Sequence, residues 1–168
     1  MKTTVPRYTA QRRIASPLGE ILLARTDAGL AGLWFEGQKD HPEVLSAPQA
    51  AADDAWLGQA EEQLDRFWRG APVDFTVPLD LHGTPFQRAV WQALLTLSLG
   101  RTASYRDIAL QIGCTSATRA VGAAVGRNPV SIIVPCHRVI GSSGGLTGYS
   151  GGLERKVALL RLEGVLAL

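Results

Sequence analysis

Reactive side chains are adjacent at Pro135-Cys136-His137-Arg138, directly after the apolar run Val130-Ser131-Ile132-Ile133-Val134. A buried run that ends in proline fixes the next side chain where ordered chain meets an opening. A cysteine at such a point, next to a histidine, is a candidate nucleophile. A free thiol has a pKa of ~8.5, so little of it is thiolate near neutrality. A neighbouring base or cation raises that fraction. Adjacent side chains tend to point apart, so a water is the simplest link between Cys136 and His137. The ordinary fate of a free cysteine is an inert buried thiol. That is the expectation for Cys114, which has no base beside it. Glu163 is one of only three acids in residues 82–168. Two roles are open to it: pairing with an arginine, or orienting His137.

The chain from Gly141 to Gly152 holds six glycines in twelve residues and matches neither the dinucleotide nor the P-loop pattern. Such a segment lets backbone amides and carbonyls approach a flat ligand closely. Tyr149-Ser150 at its centre argues against a plain flexible loop.

Several elements must hold these residues. Ile21–Ala24 and Leu30–Phe35 flank Asp27-Ala28-Gly29 and read as a hairpin. Residues 38–54 read as an irregular connection. Leu57, Ala60, Leu64 and Phe67 recur at helical spacing, with Gly70 as the stop. Val73, Phe75, Val77 and Leu79 alternate with polar residues or proline as in a strand, and Pro78 places it at an edge. Thr84 and Pro85 open a helix whose apolar stripe is Phe86, Val90, Trp91, Leu94 and Leu95. Ser104 caps a short helix over 105–112 that Gly113 ends. Thr115 or Ser116 caps a second over 117–125, with the small residues Ala120, Gly122, Ala123, Ala124 and Gly126. The pair has helix-turn-helix spacing. Glu154 to Gly164 closes the chain as a helix. The expected class is α+β, with an N-terminal domain over 1–81 and a C-terminal domain over 82–168.

Charge divides at the same place. Residues 1–81 hold 8 Lys+Arg and 12 Asp+Glu, whereas residues 82–168 hold 9 and 3, and eight of those nine are arginine. Such asymmetry points to a nucleic-acid contact made by the second half, and arginine's planar fork suits phosphate. The 46% hydrophobic and 19% charged composition excludes wholesale disorder. No apolar stretch reaches the ~18 residues needed to span a bilayer, and the N-terminus lacks a signal peptide's apolar core. Two cysteines are too few for a disulfide framework, so the cytoplasm is expected.

Together these motifs resemble the O6-alkylguanine-DNA alkyltransferase family. The matching segments are Gly-Thr-Pro-Phe-Gln at 83–87, Ser-Tyr at 104–105, Arg-Ala-Val-Gly at 119–122 and Asn-Pro at 128–129. Ile-Val-Pro-Cys-His-Arg-Val-Ile at 133–140 and Gly-Tyr-Ser-Gly-Gly at 148–152 complete the set. The resemblance implies a ribonuclease H-like first domain and a winged-helix-like second. It implies direct repair: an O6-alkylguanine is flipped from duplex DNA and its alkyl group moves irreversibly to Cys136. O4-alkylthymine is a further substrate to consider, and the protein is expected to act once, as a monomer, without a cofactor or metal.

The resemblance also assigns roles. Thr118, Arg119, Ala120 and Gly122 contact DNA in the minor groove, with Arg119 as the finger that fills the vacated stack. Tyr105 sits by the rotating phosphate and donates to the guanine ring. Tyr149 and Ser150 hold the flipped base, Val139 belongs to the base site, and Asn128 ties the turn before the Cys136 strand. Glu163, His137 and a water take the thiol proton. Two departures stand out: Ser131 replaces a proline that lines the alkyl pocket in some members, and Ser98-Leu99-Gly100 replaces proline-aromatic-glycine. Only His41 and His82, with no cysteine, lie in or beside the first domain, so the zinc site of some members is not expected here. Three other readings stay open: a non-catalytic lesion-binding relative, a helix-turn-helix regulator and a thiol hydrolase.

Overall fold

The computed structural model describes residues 5–166. Three antiparallel strands open the fold, β1 (Ala10–Ile14), β2 (Ile21–Arg25) and β3 (Leu30–Phe35), in the order β1-β2-β3. The expected hairpin is β2–β3. The first strand carries Arg12 and Arg13 and lacks an apolar run, so it escaped the sequence reading. Ile21, Leu23, Leu33 and Phe35 face the main core with α1 (Ala55–Trp68). Leu22, Ala24 and Trp34 face the other way and are covered by Tyr8 and Leu45. Burial on both faces explains the near-continuous apolar runs of β2 and β3.

Helix α1 is capped by Asp54, whose carboxylate accepts from the Leu57 N–H at 3.0 Å. Its expected stripe, Leu57, Ala60, Leu64 and Phe67, is buried. Burial of Leu57, Leu64 and Phe67 contributes about 1.5–3 kcal/mol each, and the Ala60 methyl less.

Residues 73–79 do not form the expected edge strand. Among the described residues their backbone meets the sheet only at Leu30, which donates to Pro78 O at 2.7 Å and accepts from the following Asp80 N at 2.8 Å. Proline has no N–H to extend the ladder, and the Gln63 amide takes the Thr76 N–H at 3.1 Å instead.

Helix α2 (Pro85–Leu94) has the expected Thr84 cap as a full capping box with Gln87. Val90, Trp91 and Leu94 are buried, but Leu95 is 37% exposed because the helix ends at Leu94. The Trp91 indole donates to Ala124 O at 2.9 Å and fastens α2 to the later helix over Thr118–Gly126.

Two short helices follow, α3 (Tyr105–Gln111) and α4 (Thr118–Gly126). Ser104 caps α3 as expected. Neither Thr115 nor Ser116 caps α4: its N-cap is Ala117, with no side-chain bond, and the turn closes through Ala117 N to Cys114 O at 2.9 Å.

The β-branched run 130–134 is a turn, not the strand expected before Cys136. It is wound by Val134 N to Val130 O at 3.0 Å, and Ile132 sits at φ 72°. For a β-branched residue that conformation costs about 1–2 kcal/mol. The edge of β3 stabilises it: Leu33 donates to Pro129 O at 2.8 Å and accepts from Ser131 N at 3.2 Å. The first-half sheet thus braces the segment that leads to Cys136. A single 3-10 turn, Cys136–Arg138, leads into β5 (Val139–Ile140), which pairs in parallel with β4 (Ala103–Ser104). Helix α5 (Leu153–Leu162) closes the chain with Lys156, Leu159 and Leu160 buried, while Leu162 faces solvent.

Candidate active site

Cys136 opens the 3-10 turn at the floor of a cleft of about 460 Å³. Tyr105 and Gly122 form one wall, and Tyr149 and Ser150 the other. The β4–β5 pairing brings Tyr105, the first residue of α3, to this place. Gly122 is small enough for α4 to lie against the Tyr105 ring, 3.7 Å from where a Cβ would be. Gly151 must lack a side chain, since a Cβ would come within 2.7 Å of the Tyr149 ring and 3.3 Å of Phe35.

Behind the thiol lies a buried ionic cluster. His137 is wholly buried and its Nε2 donates to Glu163 Oε1. Arg138 Nε donates to both Glu163 oxygens at 2.9 Å, and its Nη1 to Leu97 O at 2.7 Å. Both roles left open for Glu163 are therefore filled at once. With Nε2–H engaged, His137 presents Nδ1 as its acceptor, and Nδ1 is buried with no hydrogen bond to the described residues.

The electrostatics fit a resting neutral pair. Burial pushes the Cys136 thiol up, against the opposing pull of Asn128, Lys156 and nearby backbone amides. Burial lowers the His137 pKa, and Glu163 offsets part of that. Burial also raises the Glu163 carboxyl, but hydrogen bonds and charge from His137 and Arg138 outweigh it and leave it ionised below its usual range. An uncharged imidazole beside a protonated thiol is the state from which a base can take a proton.

Asn128 holds the turn from inside, donating to Val134 O at 2.8 Å and accepting from Val130 N at 3.0 Å. Ser150 Oγ donates to Gly126 O, which ties the glycine-rich loop to the end of α4. The Tyr105 hydroxyl reaches Thr147 O at 3.4 Å. The Tyr149 hydroxyl is buried; burial first, then the Cys136 charge, holds it well above the usual phenol range.

The other expected residues stand apart. Val139 is buried and does not line the cleft; its carbonyl accepts Lys156 Nζ at 2.6 Å. Thr118, Arg119 and Ala120 lie outside the cleft on the first turn of α4, with Arg119 and Ala120 exposed. Arg88, Arg101, Arg106, Arg119 and Arg127 are exposed, and no hydrogen bond or ion pair to a described residue engages their guanidinium groups. In the first half Arg12, Arg13, Arg25 and Arg69 each meet a carboxylate. Unlike Arg138 and Arg155, these five arginines of the second half are left to meet an external anion.

Four residues at or near the site went unread in the sequence. Lys39 and Asp40 reach the cleft from the connection after β3, where Lys39 N donates to Ser150 O at 2.9 Å. Lys156 is fully buried and also donates to Thr147 O at 2.9 Å. Burial lowers its pKa, and the Cys136 charge opposes the shift. Arg138 stands in the cysteine motif, where nothing in the sequence marks it as the partner of Glu163.

Two family descriptions match this chain. The 6-O-methylguanine DNA methyltransferase ribonuclease-like domain matches residues 10–81, and the DNA binding domain of the same family matches residues 85–165. A methylated-DNA–protein-cysteine methyltransferase of Mycobacterium leprae is 48% identical over 153 residues, covering 90% of each chain. The chain belongs to the O6-methylguanine DNA methyltransferase family. An inducible relative from Bacillus subtilis is 52% identical over 143 residues, covering 80% of each chain. A Mycobacterium tuberculosis OGT solved in complex with DNA superposes with a TM-score of 0.83 at 48% identity, covering 92% of each chain. The α+β class and the DNA-binding second half agree with the sequence reading. No helix among the described residues is long and apolar enough to cross a membrane.

Proposed function

We propose that this methyltransferase repairs DNA by moving the alkyl group of a flipped O6-alkylguanine to Cys136 Sγ. The observation that carries the assignment is the placement of the thiol at the cleft floor, with the Glu163-bound His137 next to it in sequence and presenting Nδ1. Duplex DNA lies along α3 and α4. Arg119, Thr118, Ala120 and Gly122 face the minor groove, and Arg119 fills the space the base leaves. The stack must be opened because a thiol cannot reach a base inside a duplex.

Tyr105, Tyr149 and Ser150 receive the base, while Asn128 and Val139 hold the floor beneath it. The thiol proton passes through a water to His137 Nδ1, and Glu163 stabilises the resulting imidazolium. The Sγ electron pair forms a bond to the alkyl carbon, and the carbon–O6 bond breaks toward guanine. Donation from Tyr105, and from Ser150 once its hydroxyl turns from Gly126 O to the base, stabilises the charge that grows on the leaving base. The leaving guanine anion takes a proton from water through the Tyr105 hydroxyl, the imidazolium returns the thiol proton to water, and Cys136 keeps a thioether that water does not hydrolyse. The protein therefore acts once. O4-alkylthymine would present the same kind of carbon to the same sulfur.

We take a single chain as the acting unit. Cys114 and Cys136 are both free, which supports a reducing compartment such as the cytoplasm. We take residues 1–81 as a supporting domain and residues 82–168 as the reacting one. Mixing the protein with a duplex carrying O6-methylguanine should add one methyl mass, and peptide mapping should find it on Cys136. A regulator would gain no mass, and a thiol hydrolase would turn over an acyl ester repeatedly. Mass on any other residue overturns the assignment.

A further inference from the structure

Arg155 has no place in the transfer chemistry, yet it is among the most heavily engaged side chains of α5. Its guanidinium donates to three backbone carbonyls: Nε to Leu18 O at 2.9 Å, Nη1 to Gly151 O at 3.0 Å and Nη2 to Glu36 O at 3.0 Å. The same group lies 4.7 Å from the centre of the Phe35 ring. Leu18 precedes β2, and Phe35 and Glu36 sit at the end of β3, so two of the three acceptors belong to the first half. The third is the residue after Ser150. The β1–β2 turn is shaped around this group: Gly19 has φ 112°, and a Cβ there would stand 3.1 Å from Arg155 Nη2.

The neighbouring Lys156 grips the other end of the same loop, at Thr147 O and Gly148 O. Tyr149 and Ser150 are suspended between the two cations. A third tie, Lys39 N to Ser150 O at 2.9 Å, also comes from the first half.

We infer that Arg155 is a positioning residue that locks the Tyr149-Ser150 wall of the base site to the sheet of the first half. The inference rests on the proposed function, because the wall matters only if a base must be held there. Arg155 touches neither Cys136 nor the His137–Glu163 pair. Its loss should loosen the wall and leave the nucleophile intact.

Reactions that need the wall should therefore part from those that need only the thiol. In R155A, single-turnover transfer from an O6-methylguanine duplex and from a free O6-alkylguanine base should both slow by about tenfold, the equivalent of ~1.4 kcal/mol. Labelling of Cys136 by iodoacetamide, a small electrophile that needs no base pocket, should not slow. R155K keeps the charge over Phe35 and one or two donors, so its transfer rates should fall between those of wild type and R155A. Protease cutting within residues 141–152 should rise in the same order. Urea midpoints for all three proteins report folding.

Equal slowing of transfer and iodoacetamide labelling would make Arg155 a general support of the fold and overturn the inference. Transfer at the wild-type rate in folded R155A would overturn it too. Absence of transfer in the wild-type protein would instead overturn the functional proposal itself.

Discussion

Replacing Glu163 with glutamine tests the proton path where it is most deeply buried. The carboxylate now offers only acceptors, to Arg138 Nε at 2.9 Å on both oxygens and to His137 Nε2. In E163Q one oxygen becomes an amide NH2. With the amide oxygen kept on Arg138, the NH2 faces His137 Nε2, donor against donor. The ring relieves this by carrying its proton on Nδ1 instead, and Nδ1 then no longer accepts from Cys136. With the oxygen on His137, the NH2 faces the Arg138 guanidinium and a largely buried cation loses its counter-ion.

Removing one partner of a buried pair costs about 3–5 kcal/mol. Arg138 keeps Leu97 O, and its side chain is 10% exposed, so the folding cost should sit below that range. A positioned general base supplies about 10²–10⁴ in rate. The expected fall in transfer at neutral pH is about a hundredfold, or ~2.7 kcal/mol. The assay is rapid-quench single-turnover transfer from an O6-methylguanine duplex with protein in excess, paired with a urea unfolding curve. The mutant's deficit should narrow as pH rises toward ~10, because hydroxide then forms the thiolate without His137. A mutant within about twofold of wild type across pH ~6–8, where histidine bases operate, would remove Glu163 and His137 from the proton path.

Cys136→Ser should abolish transfer and leave duplex binding nearly unchanged in a gel-shift titration, while Cys114→Ser should react normally; the reverse pattern would move the acceptor. Arg119→Ala should slow repair of duplex DNA by about ten- to a hundredfold, since flipping costs a few kcal/mol, while reaction with the free base barely changes. Equal loss on both substrates would end the finger assignment. Stability should be flat between pH ~6.5 and ~8 and fall on the acid side, with the raised Cys136 thiol and Tyr149 phenol lowering it again in alkali. His137 has a folded pKa lowered by burial, so the unfolded chain binds the proton first and acid favours unfolding. Glu163, also lowered overall, acts in the same direction below ~4.5, its stabilisation fading as pH drops through the folded value. A urea midpoint independent of pH from about 7 to 5 would contradict the buried neutral imidazole.

What the sequence shows most plainly is what local rules control. Thr84-Pro85 and Ser104 cap helices where chain-local chemistry says they should, and the stripe of α1 is buried residue for residue. The reading fails where a distant partner decides. Val130–Val134 has the composition of a strand, yet Asn128 and the edge of β3 wind it into a turn with Ile132 at positive φ. Residues 73–79 alternate like a strand, yet Gln63 takes the Thr76 N–H and Pro78 offers none.

The site divides in the same manner. Cys136, His137 and Tyr149-Ser150 stand out because reactive types or glycines cluster in the sequence. Arg155 and Lys156 do not, because their partners are carbonyl oxygens, and every residue has one. A signal was nevertheless present in Lys156. It precedes Leu159 and Leu160 by three and four positions, so helical spacing puts a lysine on the apolar face of α5. A lysine there must either reach past the core to water or satisfy its ammonium inside. Lys156 does the second, with Val139 O and Thr147 O within 3 Å of Nζ. Misplaced polarity on an otherwise regular face is therefore a sequence mark of a buried anchor. In this chain it lies eight residues downstream of the loop that the anchor holds at Gly148.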